Sequence, residues 1–250
     1  MQALQVADLP AGRGFAWLGR AFHLFRRKPF AWIGLCAGWL VATFGLLLLP
    51  LIGGAVANFL QPVFFASFAL AARKQEGGGE VLMADLFTGF RHNARALILL
   101  GALLLLAEGL IIMLLWLLGM PMGGGEGEQV TTMAEYMQQL KGKEWILAIG
   151  FLLTVLVKGG LWFAPPLIAF HDMPTSHAIR WSVYAALSNL GAMVSYGVLL
   201  FLLFFVGLMP WGLGLLVVIP LMVISTYFGY EEVFKKQPLG DRPPVSRSDP

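Results

Sequence analysis

Residues 30–72 read FAWIGLCAGWLVATFGLLLLPLIGGAVANFLQPVFFASFALAA, forty-three residues without one charged side chain. A helix crosses a bilayer in about 20 apolar residues. The run is therefore long enough for two crossings and needs a turn between them. Pro50, Gly53 and Gly54 supply it, because proline ends a helix and glycine permits the reversal. The spacing predicts helices over 30–49 and 54–72. The second carries Asn58, Gln61 and Pro62. Bare amides are costly in lipid, so Asn58 and Gln61 are expected to face other helices.

Composition agrees. The chain of 250 residues is 58% hydrophobic and only 12% charged, against about 25% charged in a typical soluble domain. Basic residues flank apolar runs instead of forming a groove, so soluble-domain and nucleic-acid readings both fail. The one cysteine, Cys36, lies in an apolar run, which excludes an internal disulfide and reads as a small core filler. The start lacks the pattern of a cleavable signal peptide: its first apolar run begins near Phe30, behind a basic amphipathic segment.

Two further apolar blocks follow. Residues 95–118 and 145–170 predict a second hairpin around a polar loop, 120–144. In that loop Gly123, Gly124 and Gly125 precede a short amphipathic helix, with Thr132 and Glu135 at capping-box spacing and Met133, Tyr136, Met137 and Leu140 on one face. Residues 190–230 are again too long for one span and are divided by Met209-Pro210-Trp211-Gly212. The fold class is an all-α polytopic membrane bundle: six transmembrane helices in three hairpins, one domain over 1–237, then a disordered tail over 238–250.

An amphipathic segment leads into each hairpin, around Phe22–Phe25–Arg26, Phe87–Phe90–Arg91 and Tyr184–Leu187–Ser188. The first runs from Gly14 to Lys28; the second falls within 73–93, with Leu82, Leu86 and Phe90 on one face. Asp172 and Thr175 are expected to cap the third. Each even-numbered span carries proline: Pro62, Pro165 with Pro166, and Pro220. The pattern reads as three related units, each an interfacial helix plus a two-helix hairpin. Of seventeen Lys and Arg, fourteen fall on one side of this threading and two, Lys141 and Lys143, on the other. Positive-inside bias then predicts that both termini lie in the cytoplasm.

Three short motifs carry a family resemblance. Trp17-Leu18 with Phe22, Leu24-Phe25-Arg26 and Pro29 is one; His171-Asp172-Met173-Pro174 with Asn189 is the second; YFGYEEVF at 227–234 is the third. Together they resemble an uncharacterised six-helix inner-membrane family common in beta-proteobacteria, although Glu231-Glu232 departs from that family's usual Arg-Asp. More distantly, the arrangement resembles the membrane domain of some glycerophosphodiester phosphodiesterases, whose catalytic domain has no counterpart in this sequence. The resemblance implies an inner-membrane location and no activity.

The remaining charge, Lys158, lies inside a span, and so does Glu108. Glu108 is thirteen residues beyond Arg95 and Lys158 thirteen before His171. On antiparallel helices both sit about 20 Å from the shared end at roughly 1.5 Å per residue. Gln61, twelve residues before Arg73, joins them, with Asn58 and Thr154 nearby. Glu108, Lys158, Gln61 and Asn58 form the candidate intramembrane polar layer. It can be an ion pair that sets register, a proton or substrate relay, or a contact for lipid headgroups. His171, Asp172 and His177 lack a recognised metal spacing and read as caps and interfacial anchors. No catalytic constellation, metal site or cofactor is expected. The leading expectation is a non-enzymatic scaffold or lipid-associated accessory factor, with membrane lipids as partners and a homo-oligomer or protein partner open. The alternative is a small transporter or channel using the Glu108/Lys158 layer.

Overall fold

The computed structural model describes residues 5–120, 140–209 and 211–234. Helices α1 (Arg13–Phe25), α2 (Pro29–Leu47) and α3 (Gly53–Glu76) come first, followed by a 3-10 segment, Met83–Arg91. Then come α4 (Ala94–Leu117), α5 (Glu144–Gly160), α6 (Ala164–His171), α7 (Thr175–Ser188), α8 (Leu190–Leu208) and α9 (Leu215–Val233). Among the described residues six stretches are long and apolar enough to cross a membrane, with α5 and α6 together making one of them. The chain is a helical membrane bundle. The loop helix expected over 132–140 lies outside the described residues except for Leu140, which is buried. Pro210 and the tail over 238–250 also lie outside them.

The hairpin turns fall where the sequence puts them. Leu51 takes φ 66° between α2 and α3; Trp211 and Gly212 take φ 56° and 78° between α8 and α9. Four details differ. The span over 145–170 is not one helix. Pro165 and Pro166 lack the N–H groups that would bond residues 161 and 162, and their rings crowd those carbonyls, so the chain breaks after Gly160. Ser182 of α7 repairs the break: its Oγ donates to the Gly160 carbonyl at 2.7 Å and accepts from the Phe163 N–H at 3.1 Å. The second interfacial segment is a 3-10 helix, not an α-helix. Thr175 does not cap α7 but donates to the Ala96 carbonyl of α4 at 2.8 Å. Asp172 follows α6 at φ 49° instead of capping the next helix.

The spans form two layers. The proline-bearing α3 and α9 bury 50% and 61% of their most apolar stretch, against 17% for each of the other four spans. Residues 164–169 of α6 are also buried, so the three proline-bearing helices meet at the centre, with α2, α4 and α8 outside. The dense packing is confined to one half of the bundle. Trp32, Leu35, Phe68, Leu97, Leu100, Phe163, Leu167 and Ile224 are fully buried there. This half lies toward the face where the Ala7 N–H meets the Val233 carbonyl at 2.9 Å, here called the terminal face. Toward the opposite face, formed by the hairpin tips, the spans are widely exposed.

The three units interlock in a ring. Each interfacial element packs on the hairpin of the preceding unit: the 3-10 segment on α2 and α3, α7 on α4 to α6, and α1 on α8 and α9. The residue just before each hairpin ties down the chain leading into the next unit. Lys28 Nζ lies 3.9 Å from the Glu80 carboxylate. Asn93 Nδ2 donates to the Met173 carbonyl at 3.2 Å. Asn189 binds the chain before α1, donating from Nδ2 to the Ala7 carbonyl and accepting on Oδ1 from the Leu9 N–H, both at 2.9 Å. A repeat visible in sequence as spacing is thus a quasi-threefold ring in space.

Candidate functional site

The polar layer is assembled from three helices of two units. Gln61 is on α3, Glu108 on α4 and Lys158 on α5. Helices α3 and α4 pack closely because Gly101 has no side chain; a Cβ there would stand 1.9 Å from the Phe59 carbonyl oxygen. Small residues give membrane helices this kind of approach. The approach brings Gln61, Glu108 and Lys158 to one level. Lys158 Nζ lies 2.7 Å from Glu108 Oε1 and donates to Gln61 Oε1 at 3.4 Å. Opposite charges at this distance attract, and the more strongly the less water surrounds them. Thr154, one turn from Lys158, spends its hydroxyl on the Gly150 carbonyl at 2.8 Å. Asn58 does not complete the cluster: it has no hydrogen bond to either charge.

The layer is not sealed. The side chains of Glu108 and Lys158 keep 20% and 39% of their surface. A cavity of about 70 Å3 touches Lys158, Gln61, Phe65 and Trp162. A second, of about 200 Å3, runs along α2 and α3 past Thr43, Asn58 and Gln61 to Leu47 and Gly54 near the hairpin tip.

One helical turn toward the terminal face the chemistry changes. Phe65 follows Gln61 by four residues, Trp162 follows Lys158 by four, and Trp39 precedes Thr43 by four. These rings meet edge to face: Trp39 with Phe65 at 6.4 Å between centroids, Phe65 with Trp162 at 6.3 Å, Trp162 with Tyr196 at 5.7 Å and Tyr196 with Trp17 at 5.5 Å. The chain of rings links all three units beneath the polar layer. Trp17, Trp39 and Trp162 thus pack inside the bundle at this level. Trp32 Nε1, fully buried, donates to Gln75 Oε1 at 2.6 Å.

A second cluster, on the terminal face, escapes sequence reasoning. Glu232 takes Arg13 Nε at 2.5 Å and Trp17 Nε1 at 3.0 Å. Arg20 meets Glu231 at 2.5 Å and Glu76 at 3.2 Å, and its guanidinium lies 4.2 Å from the Phe228 ring centroid. Tyr227 donates to Glu76 Oε2 at 2.6 Å. The acidic pair that departs from the family motif thus has its own partners on α1. A signal was present, since Arg13 and Arg20 are seven apart on one helix face, but nothing in the sequence selects them among fourteen cations. His171 and Tyr230 lie 2.7 Å apart from Nε2 to hydroxyl, which makes His171 an anchor between α6 and α9. Among the described residues no group of three or more His, Cys, Asp or Glu could hold a metal ion.

Comparison with known proteins agrees with this architecture. The chain is 30% identical over 212 residues to a protein of Burkholderia thailandensis named "Probable inner membrane protein", covering 80% of this chain and 76% of that one. The chain belongs to this family of inner-membrane proteins. The match is to a beta-proteobacterial protein, as the Trp17, His171 and Tyr227 motifs implied. No family model matches the chain. No solved structure matches it either.

Proposed function

We propose that the protein is a non-enzymatic integral component of the inner membrane, a scaffold or lipid-associated accessory factor with both termini in the cytoplasm. The observation that carries this reading is the Glu108–Lys158 contact at 2.7 Å. The two ionisable groups deepest in the spans neutralise each other, which is what a charge pair that sets helix register does. The wide apolar exposure of α2, α4 and α8 suits lipid as the main partner. Exposed Arg26 and Arg27 beside Phe22 and Phe30 suit an anionic headgroup layer at the terminal face. Native mass spectrometry of the detergent-purified protein tests the lipid role. Retained phospholipid supports it; a delipidated protein of undiminished stability overturns it. A Gln129→Cys variant in a Cys36→Ser background tests topology: it should react with an impermeant thiol reagent from the periplasmic side.

A second reading, a small transporter or channel, is favoured by one observation. Lys158 keeps 39% of its side-chain surface and borders a cavity.

A further inference from the structure

We infer that the tip-facing half of the bundle encloses a water-filled vestibule that reaches the Glu108–Lys158 pair from the hairpin-tip side and ends on the aromatic layer below it. Four observations converge. The groove lined by Trp39, Thr43 and Leu47 of α2 and by Gly54, Asn58 and Gln61 of α3 ends on Gln61, which reaches Lys158 on α5. Its volume, about 200 Å3, holds several waters. Its polar lining lacks protein partners: among the described residues neither the Asn58 carboxamide nor the Thr43 hydroxyl makes a side-chain hydrogen bond. The Asn58 backbone carbonyl also lacks its usual donor four residues on, because that residue is Pro62.

Lipid cannot satisfy these groups. In hydrocarbon, backbone and amide groups without a partner are excluded unless they face protein or a water-filled cavity. Water in the groove satisfies Thr43 and the Asn58 side chain and carbonyl, and Gln61, which lines both the groove and the smaller cavity beside Lys158, links it to the pair. The water stops at Trp39, Phe65, Trp162 and Tyr196, which stack edge to face one turn below. Beneath them the core is closed, with Trp32, Leu35, Phe68 and Phe163 fully buried. The pair is therefore open to one compartment and shut from the other. This asymmetry goes beyond the scaffold reading, and only the name of the open compartment rests on the proposed topology.

Cysteine accessibility in the full-length protein tests this. The probe is a small cationic methanethiosulfonate reagent that does not cross membranes, applied to intact spheroplasts and to inverted vesicles. Thr43→Cys and Asn58→Cys, each with Cys36→Ser, report the vestibule, and Leu51→Cys at the exposed tip reports topology. Native Cys36, one turn below Trp39 and only 3% exposed, reports the floor. Both vestibule positions should react from the same side as Leu51→Cys and be lost from the other side, while Cys36 reacts from neither. If Leu51→Cys reacts and both vestibule positions stay silent, there is no vestibule. Reaction only with a lipid-soluble maleimide means that lipid fills the groove, which equally overturns the inference. Should all three react only in inverted vesicles, the topology is reversed and the vestibule stands. If Asn58→Cys does not fold, Thr43→Cys alone decides.

Discussion

Asn189 and Ala7, 182 residues apart in the chain, are joined by a hydrogen bond from Nδ2 to the carbonyl oxygen at 2.9 Å. The same carboxamide accepts from Leu9 N–H and donates to the Ala185 carbonyl at 3.0 Å. It thereby ties the third unit to the first and closes the ring. Asn189→Ala removes three bonds at a residue only 1% exposed and leaves the Ala7 carbonyl and the Leu9 N–H without this partner. The expected loss is about 2–3 kcal/mol, from the cost of unsatisfied buried polar groups. Asn93→Ala, which loses one longer bond to Met173, should cost less. Thermal melts in detergent rank the two; equal losses would mean that Asn189 does not close the ring.

The Glu108–Lys158 pair should behave as a unit. Glu108→Gln or Lys158→Met strands the other charge, at a cost of about 1–3 kcal/mol, below that of a fully buried pair because both groups keep some exposure. Neutralisation of the stranded group would soften that loss. The double variant should recover much of it. A double-mutant cycle on melting free energies measures the coupling; additive losses would remove the pair from the stability of the bundle.

Ser182 should matter more than a partly polar helix residue usually does. Its hydroxyl is the only side-chain partner that the described residues give to the Gly160 carbonyl and the Phe163 N–H. Ser182→Ala leaves both short at the break between α5 and α6, costing roughly 1–3 kcal/mol. Restoring the helix by Pro165→Ala with Pro166→Ala should make Ser182→Ala milder, since Phe163 and Gly160 regain helical partners. A melt of the combined variant checks this, and an undiminished penalty would assign Ser182 another role.

Two helical glycines should respond to alanine in opposite directions. At Gly101 a Cβ meets the Phe59 carbonyl at 1.9 Å, so Gly101→Ala must part α3 from α4. Overpacking of this kind costs about 1–3 kcal/mol. The same shift draws Gln61 away from Lys158. Gly45 has nothing within 4 Å of a Cβ, and Gly45→Ala should stabilise α2 by roughly 0.5–1 kcal/mol through backbone entropy. Melting temperatures of the two variants give the signs directly.

Some forces act along the chain and others across it, and the division decides what the sequence makes legible. Hydropathy and proline position are local properties, and a bilayer reads them directly. The uncharged run over 30–72 could only be a hairpin, and matched spacing from Arg95 and His171 set Glu108 and Lys158 at one depth by residue count alone. The tertiary structure decided what depends on rotation about helix axes and on neighbours distant in sequence. It turned Gln61 toward Lys158 and left Asn58 facing a cavity. It broke 145–170 where two prolines met a serine hydroxyl able to take the freed backbone groups. It chose Arg13 and Arg20 for Glu232 and Glu231, and set Asn189 against Ala7. A one-dimensional pattern states how deep a residue lies in a membrane; which partner it meets there is fixed by close packing between helices, and that exists only once the ring has closed.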